Sequence, residues 1–328
     1  MILVTGGAGY IGSHAAKALR DAGYRMVLFD NLKAGHREST LGLPFVEGDV
    51  QDTAAVRSVI REYGISAVIH LAAVASVGDS MREPAEYYRQ NVGGALSVLN
   101  AMMSESVQRF VFSSTAAVYG DPIETPITEE HSTQPMNVYG ETKLVIERAI
   151  PYYEKAYGLK SIRLRYFNAA GADPDGFLGE DHNPEIHLIP RVIKSILGGP
   201  PFKIFGEDYS TPDGTCVRDF VHVSDLANAH VLSVGALESG ARSTVYNLSN
   251  GRPHSVRDVI STVEAVTGRS VRWSSGERRP GDPAVLFASS EKIRHELGWK
   301  PMYPELTSMV ETAWNWHKTH PNGFIRVG

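Results

Sequence analysis

The opening of the chain constrains the fold most, because a short apolar run there breaks into glycines and then continues as a helix. Residues 2–4 have the pattern of a buried parallel strand, and Gly6, Gly9 and Gly12 follow them. The segment after Gly12 is typical of a helix closed by Gly23. Such glycines allow a tight turn and let backbone N–H groups approach a pyrophosphate at the helix N-terminus. The opening therefore predicts a dinucleotide-binding loop.

A carboxylate that ends the second apolar run indicates which dinucleotide binds. The run covers residues 25–30, and Asp30 lies eighteen residues after Gly12. An acid at this strand tip accepts hydrogen bonds from the adenosine ribose hydroxyls and repels a 2′-phosphate. The pattern favours NAD over NADP, and the alternative is an Asp that opens a turn with Asn31.

Composition bounds the class of protein. Of the 328 residues, 42% are hydrophobic and 21% charged, as in soluble globular proteins with two domains or one large one. The formal net charge of -5, without a long basic run, argues against nucleic acid or a membrane surface as the main partner. The single Cys216 excludes an internal disulfide framework. With a strand starting at residue 2 and no apolar run near the roughly 20 residues of a membrane span, we expect a cytoplasmic protein.

Strands and helices alternate through the first half, which predicts an α/β fold with a doubly wound parallel sheet of the Rossmann type. We place this NAD-binding domain at residues 1–169, with a return segment near 215–235, and a smaller mixed α/β substrate-binding domain at 170–328. A segment rich in Gly, Asp and Pro at 171–184 marks the boundary. A long helix is predicted from Pro84. Further strands are predicted at residues 44–50, 67–73, 109–115, 161–167 and 217–223.

Two side chains on the helix after the fifth strand form a candidate proton-transfer pair. Tyr139 and Lys143 lie four residues apart, so both project from one helix face about 6 Å apart along the axis. A phenol, with a pKa of about 10, needs roughly 4 kcal/mol of preferential stabilisation of its anion to act as a base near pH 7. The ammonium of Lys143 together with a positively charged nicotinamide ring supplies an effect of that size.

Polar groups also lie at two other predicted strand tips. Thr115 ends the fifth strand, where its hydroxyl either bonds a substrate oxygen or the tyrosine, or else satisfies local backbone. Asp49 ends the third strand, where contact with the adenine amino group and capping of the next helix are equal alternatives. Two groups of histidines and acids, at 181–187 and at His317 with His320, lack the ligand set of a known metal site, so we expect no metal.

Motifs along nearly the whole chain carry a family resemblance. They are residues 4–14, 30–32, 46–49, 113–120, the Tyr139/Lys143 pair, 164–168, 213–219 and 279–282. As a set they resemble the extended short-chain dehydrogenase/reductase family, and within it the UDP-glucose 4-epimerases.

The resemblance implies a reaction. It is the interconversion of UDP-glucose and UDP-galactose, in which tightly held NAD oxidises the sugar at C4 and the transient 4-keto sugar is reduced on its other face. Tyr139 would remove the proton of the 4-hydroxyl, and Thr115 would assist by hydrogen bonding. Lys143 would hold the nicotinamide ribose and lower the pKa of Tyr139. These three are the candidate catalytic residues.

The resemblance also implies where the ligands bind. Candidate cofactor-binding residues are Gly6, Gly9, Tyr10, Ile11, Gly12, Asp30, Asn31, Asp49, Val50, Leu71, Ala72, Asn91, Thr115, Tyr139, Lys143, Tyr166 and Phe167. Candidate substrate-binding residues are Thr115, Tyr139, Asn168, His187, Leu188, Phe205, Arg218, Arg279, Asp282 and Leu286. Two guanidinium groups suit a pyrophosphate, and an aromatic ring suits uracil. A homodimer through helices near 87–103 and 140–156 is expected.

Three positions depart from the family pattern. Ala75 stands where many members carry a lysine near the cofactor, and His187 where many carry asparagine. Leu286 stands where members of narrow specificity carry a tyrosine that gates the sugar pocket. Because leucine is smaller and has no hydroxyl, we hypothesise that UDP-N-acetylhexosamines also fit.

Related reactions on the same scaffold are the alternatives. One is epimerisation of UDP-xylose and UDP-arabinose. A nucleotide-sugar dehydratase or decarboxylase is less favoured, because dehydratases carry Asp-Glu after the strand-five threonine, where this chain has Ala116 and Ala117. Asp30 disfavours an NADP-dependent reductase. A non-catalytic redox-sensing or RNA-binding module commonly loses the tyrosine or lysine or gains a basic face, and this chain does neither.

Overall fold

Short strands and the helices between them make up this computed structural model, which describes residues 1–279 and 282–324. The strands are β1 (Ile2–Thr5), β2 (Met26–Asp30), β3 (Phe45–Glu47), β4 (Ala67–His70), β5 (Arg109–Thr115), β6 (Lys160–Tyr166), β7 (Asn168–Ala170), β8 (Phe202–Phe205), β9 (Val217–Arg218), β10 (Phe220–His222), β11 (Thr244–Leu248), β12 (His254–Ser255), β13 (Trp273–Gly276) and β14 (Val285–Leu286).

Helices alternate with strands β1 to β6, as expected of an α/β fold. The helices are α1 (Tyr10–Asp21), α2 (Thr53–Tyr63), α3 (Val77–Arg82), α4 (Pro84–Tyr87), α5 (Gly94–Ser104), α6 (Val138–Tyr157), α7 (Leu188–Ile196), α8 (Val223–Glu238), α9 (Val256–Thr267), α10 (Glu291–Leu297) and α11 (Leu306–Thr319). Between α4 and α5 the chain continues as a π-helical segment, Tyr88–Gly93.

The central sheet is parallel throughout, with the strand order β3-β2-β1-β4-β5-β6-β11. Successive residues of a strand point to opposite faces, and both faces of this sheet are covered. Ile2 and Val4 share a buried cluster with Leu19 of α1, whereas Leu3 shares one with Ile60 of α2. The predicted doubly wound parallel sheet is therefore confirmed.

The smaller lobe, made of β8, β9, β12–β14, α7, α9 and α11, has its own core. Ile189 of α7, Val263 of α9 and Val310 of α11 are fully or almost fully buried in one cluster. Strand β9 pairs antiparallel with β12 and parallel with β14, and β13 pairs parallel with β8. This mixed pairing agrees with the expected mixed α/β lobe.

The chain crosses between the lobes more than once. After β7, residues 171–187 lead to the smaller lobe, and β10 pairs with β7 in parallel. Helix α8 then packs against α1, and β11 adds the last strand of the central sheet. The segment that returns to this sheet thus extends to Leu248, and the domain boundary at 169/170 stays a prediction.

One predicted element is wrong in a way that matters for the site. The strand predicted at 217–223 is two strands, because the chain changes partners at Asp219, between β9 and β10. The Asp219 carboxylate accepts hydrogen bonds from the backbone N–H of Gly251 (2.7 Å) and from the hydroxyl of Ser249. The helix α8 already begins at Val223.

Other bounds differ by a few residues. The long helix predicted from Pro84 begins there but passes through the π-helical segment. Helix α7 begins at Leu188, before Pro190, since proline is tolerated in a first helical turn. In the part of the chain that the structure describes, no helix is both long and apolar enough to cross a bilayer.

Candidate active site

A cleft of about 1190 Å³ lies at the carboxyl ends of the central strands and extends to the smaller lobe. Ligands of open α/β sheets bind at this edge. Pockets for one drug-sized ligand measure roughly 300–1,000 Å³, so the cleft has room for more than one such group. It is lined by the ends of β1, β2, β4, β5 and β6 on one side and by residues of β8, β9, β14 and α7 on the other.

The glycine loop forms one end of the cleft. Gly6 has a φ of +72°, which L side chains rarely adopt, and a Cβ at Gly12 would lie 2.0 Å from the Gly6 carbonyl oxygen. Gly9 caps the N-terminus of α1, whose first turn carries no acidic side chain. Gly6, Gly9, Tyr10, Ile11 and Gly12 all line the cleft. Free backbone N–H groups at a helix N-terminus fit a pyrophosphate, so this cradle fits a dinucleotide.

Asp30, the last residue of the second strand, lies against the glycine loop. Its Oδ2 accepts the Ala8 N–H (3.1 Å) and its Oδ1 accepts the Leu32 N–H (2.9 Å). Burial raises the pKa of the Asp30 carboxyl, and these hydrogen bonds act against that rise. Asp30 and Asn31 line the cleft, which is the placement predicted for recognition of an adenosine ribose.

Asp49 supports this region rather than lining it. Its Oδ2 accepts a hydrogen bond from Asn31 Nδ2 (3.1 Å), while the following Val50 reaches the cleft. The alternative that Asp49 caps the next helix is wrong, because Asp52 is the N-cap of α2 and accepts the N–H of Ala54 at 3.0 Å.

The proton-transfer candidates meet at the end of β5. Thr115 is the last residue of that strand, and Tyr139 lies in the first turn of α6, which Asn137 caps by accepting the Gly140 N–H at 2.9 Å. Tyr139 and Thr115 both line the cleft at this point. Thr115 Oγ1 accepts the Ala117 N–H (3.1 Å), which is its role toward the local backbone, and its contact with the tyrosine or a substrate oxygen stays a prediction.

Lys143 lies behind this pair, fully covered. Its Nζ donates to the Ser113 carbonyl at 2.9 Å, on the strand that ends in Thr115. Burial lowers the pKa of the Lys143 ammonium to about 7 and raises the pKa of the Tyr139 phenol to about 12. In the chain by itself Tyr139 is therefore protonated at neutral pH. The expected fall in its pKa stays a prediction for the complex with a cationic nicotinamide.

Asn91 also acts from behind the cleft. Its side chain accepts the Val74 N–H (2.9 Å) and donates to the Val74 carbonyl (3.1 Å) and to Thr142 Oγ1 (3.0 Å). It thereby joins the loop after β4 to the helix that carries Tyr139. Leu71, Ala72 and Ala75 of that loop line the cleft, together with Tyr166 at the end of β6 and Phe167 after it.

Cationic and aromatic groups line the other end of the cleft. Arg218 Nη2 donates to Asp282 Oδ1 at 2.7 Å, and the Arg279 guanidinium lies 4.1 Å from the centre of the Phe205 ring. Asn168 donates to the Asp219 carbonyl at 2.7 Å. All the residues proposed for the substrate line the cleft: Thr115, Tyr139, Asn168, His187, Leu188, Phe205, Arg218, Arg279, Asp282 and Leu286. Pro280 and Gly281 of the 279–282 motif lie outside the described residues.

The predicted site residues did not include every cation of the cleft. Arg191 lines the cleft with its guanidinium 5.9 Å from the centre of the Phe205 ring, and burial lowers its pKa. Its signal was present, since Arg191 lies four residues after His187 and so one turn along α7. That signal becomes readable once α7 is seen to begin at Leu188, with His187 as its N-cap.

Comparison with known proteins decides the family. The sequence profile described as the NAD dependent epimerase/dehydratase family matches residues 2–249. The chain belongs to this family. One similar sequence and two similar solved structures show how far the likeness extends. A relative from Halalkalibacterium halodurans, a UDP-glucose 4-epimerase, is 49% identical over 324 residues, which cover 98% of this chain and 97% of the relative.

Solved structures agree with this placement. The crystal structure of UDP-glucose 4-epimerase from Brucella ovis in complex with NAD has a TM-score of 0.93 and 46% identity, and covers 95% of this chain and 97% of that one. The UDP-glucose 4-epimerase from Bifidobacterium longum in complex with NAD⁺ and UDP has a TM-score of 0.93 and 37% identity, and covers 98% of this chain and 99% of that one. The resemblance seen in the motifs is therefore confirmed over the whole chain.

Proposed function

We propose that the protein interconverts UDP-glucose and UDP-galactose by NAD-dependent epimerisation at C4, through a transient 4-keto sugar. The observation that carries the proposal is one continuous cleft, which joins the glycine loop at Gly12 to Tyr139 and Thr115, and these to Arg218 and Arg279. A dinucleotide at the first end and a nucleotide sugar at the second would meet at the phenol. The names of the relatives support this substrate class.

The residues at the first end fit NAD. The N-terminus of α1 would hold the pyrophosphate, and Asp30 would accept hydrogen bonds from the adenosine ribose. When bound, NAD supplies the hydride acceptor and donor for the sugar carbon. The loop after β4, which Asn91 holds through the backbone of Val74, would cover the cofactor at the edge of the sheet.

The residues between the two ends would move the proton. Tyr139 Oη would take the proton of the sugar 4-hydroxyl and return it after the sugar has turned. Thr115, which lines the same part of the cleft, would donate a hydrogen bond to the same oxygen. Lys143 would stabilise the phenolate from behind, where its own burial in a low-dielectric site strengthens the attraction.

The residues at the second end would bind UDP. Arg218 and Arg279 would share the diphosphate, with Arg191 as a third cation on α7. The Phe205 ring would lie beside uracil. Asn168, the first residue of β7, would contact the sugar. This division explains why a chain with a formal net charge of -5 places Arg191, Arg218 and Arg279 in its cleft.

Finer points of specificity, assembly and location are also proposals. UDP-N-acetylhexosamines would fit beside Leu286, and UDP-xylose/UDP-arabinose are the next candidates.

A homodimer would form through α5 and α6, where Leu96 and Met103 are only partly buried and Tyr152 is 76% exposed in the single chain. We also propose a cytoplasmic location, supported by the single Cys216.

The test is turnover without added cofactor. Purified protein is incubated with UDP-glucose alone, and the products are identified by NMR. We expect UDP-galactose from the wild type, and a fall in kcat of about 10³-fold for Tyr139→Phe. The matched control, Tyr63→Phe at the end of α2, should turn over like the wild type. Turnover that requires stoichiometric fresh NADH, or full activity of Tyr139→Phe, would overturn the proposal.

A further inference from the structure

Four side chains of the segment before α7 converge on one point. Glu180, His182, Glu185 and His187 each offer one nitrogen or oxygen atom, and these four atoms all lie within 4.8 Å of one another. Glu180 Oε1 lies 3.0 Å from His182 Nδ1 and also contacts His187 Nδ1. His187 Nδ1 lies 3.8 Å from Glu185 Oε1.

The structure groups different residues from those that the sequence pattern grouped at 181–187. The sequence placed Asp181 with these histidines on a solvated loop, but Asp181 Oδ2 lies 3.3 Å from His36 Nε2, away from the cluster. Its place is taken by Glu180, whose side chain is 3% exposed. The Glu185 side chain is 6% exposed. Two nearly buried carboxylates side by side are costly unless positive charge faces them.

We propose that Glu180, His182, Glu185 and His187 bind one divalent transition-metal ion of the zinc class. Two imidazole nitrogens and two carboxylate oxygens are a ligand set that Zn²⁺ accepts in tetrahedral geometry. Bonds of about 2.0–2.2 Å place tetrahedral ligand atoms roughly 3.3–3.6 Å apart. The atoms here already lie within 4.8 Å, so small rotations of side chains complete the site.

The surroundings hold the carboxylates ready for an ion. Glu185 Oε1 accepts the backbone N–H groups of Ile186 (2.9 Å) and His187 (3.0 Å), which fixes its orientation. The Trp316 indole donates to the Glu180 carbonyl at 3.2 Å and pins the backbone there. Outer contacts of this kind orient ligands in metal sites. The Lys194 ammonium lies 3.4 Å from Glu185 Oε2, whereas the Glu180 carboxylate faces the two imidazoles.

The site has an entry path and a neighbour. His182, Glu185 and His187 line the cleft, so a hydrated ion reaches them from solvent without any opening of the fold. His187 is also a candidate substrate contact. The competing account is an ion-pair cluster alone, in which protonated imidazoles balance the carboxylates without a metal. Binding of a metal ion here is separate from the proposed epimerisation, and it is measured without any assay of epimerase activity.

The test is a cobalt titration of the full chain. Protein stripped with a chelator is titrated with Co²⁺, whose visible absorption reports tetrahedral coordination by nitrogen and oxygen, and Zn²⁺ is then added in competition. We expect about one equivalent of Co²⁺ and its displacement by one equivalent of Zn²⁺, with a Kd below about 10 µM. Absence of saturable tetrahedral absorption in the wild type would leave the ion-pair cluster as the account and overturn the proposal.

Variants separate this site from other histidines. His182→Gln and Glu185→Gln should each weaken Co²⁺ binding at least about 10-fold. His295→Gln, an exposed histidine on α10, is the matched control and should bind like the wild type. Thermal unfolding of each variant shows that it is folded, and having two ligand variants protects the test if one is not. Equal binding by both ligand variants and the wild type would overturn the proposal.

Discussion

Glu147 and Arg165 form a buried ion pair directly behind the tip of β5. Glu147 Oε1 accepts from Arg165 Nε at 2.9 Å, and the two side chains are only 4% and 8% exposed. Ser114, the neighbour of Thr115, donates to the same carboxylate. Glu147 lies one turn after Lys143 on α6. Arg165 lies on β6 and Ser114 on β5, so the Glu147 carboxylate ties the helix of Tyr139 to both strands.

The first prediction concerns this pair. Glu147→Gln removes the negative charge and leaves Arg165 buried without it, so the free energy of unfolding should fall by about 3–5 kcal/mol. The fall in kcat should exceed the change in KM, because the pair positions the phenol and not the substrate. Urea unfolding and steady-state kinetics measure both effects.

Its control lies on the same helix. Glu141→Gln changes a partly exposed carboxylate that lies 3.9 Å from Arg148, and should cost less than about 1 kcal/mol. If Glu147→Gln and Glu141→Gln unfold at the same urea concentration, the buried pair does not hold the site together.

The second prediction concerns the glycine loop. In Gly12→Ala the new Cβ would lie 2.0 Å from the Gly6 carbonyl, so the turn must move. We expect a loss of about 1–3 kcal/mol in stability, and protein purified largely without nucleotide. Thermal unfolding and nucleotide released on denaturation measure these.

Gly235→Ala is the control for helical glycines. Its Cβ would meet Tyr24 Oη at 3.4 Å, an ordinary contact, and alanine gains helix stability of up to about 1 kcal/mol. This variant should keep its nucleotide. Retention of nucleotide by Gly12→Ala at the wild-type level would show that the loop does not carry the cofactor.

The third prediction concerns pH. Burial raises the pKa of Tyr139 to about 12, because the phenolate loses solvation, so nucleotide-free protein should show no phenolate from Tyr139 below pH 10. Bound NAD⁺ adds positive charge, which favours the anion and lowers the pKa toward 7. Ultraviolet difference spectra of wild type minus Tyr139→Phe, over pH 6–10, report this phenolate with and without NAD⁺.

Lys143→Met tests the second cation in the same experiment. With NAD⁺ bound, loss of the buried ammonium should raise the pKa of Tyr139 by about 1–3 units relative to the wild type. An unchanged titration would mean that Lys143 only anchors the Ser113 carbonyl.

The fourth prediction concerns the sugar pocket. Leu286 lies on β14 beside Arg218 of β9 and packs against the buried cluster that contains Leu144 and Phe167. A tyrosine there would extend into the cleft, so Leu286→Tyr should lower the ratio of kcat/KM for UDP-N-acetylglucosamine to that for UDP-glucose by about 10-fold or more. Ile123→Tyr, at a position 86% exposed, is the control. No wild-type turnover of the N-acetylated sugar, with an unchanged ratio in Leu286→Tyr, would refute the hypothesis.

The sequence by itself determined the elements whose signals are local. Strand β5 has the predicted bounds, Arg109–Thr115, because a short apolar run ending in hydroxyls is readable without its neighbours. The glycine loop, the acid at Asp30 and the Tyr139/Lys143 spacing were likewise readable, since backbone conformation and helical periodicity depend on residues close in the chain. These patterns predicted the parallel sheet and its ligand edge.

Only the tertiary structure decided which polar groups face the cleft and which hold it from behind. Asn91, Asp49 and Lys143 are support groups, although nothing in their spacing distinguishes this role from lining the cleft. Arg191 lines the cleft because α7 begins at Leu188. The division of 217–223 at Asp219 depends on strand partners far along the chain. Burial and pairing arise between elements distant in sequence, so packing alone sets them, and with them the pKa values of the site.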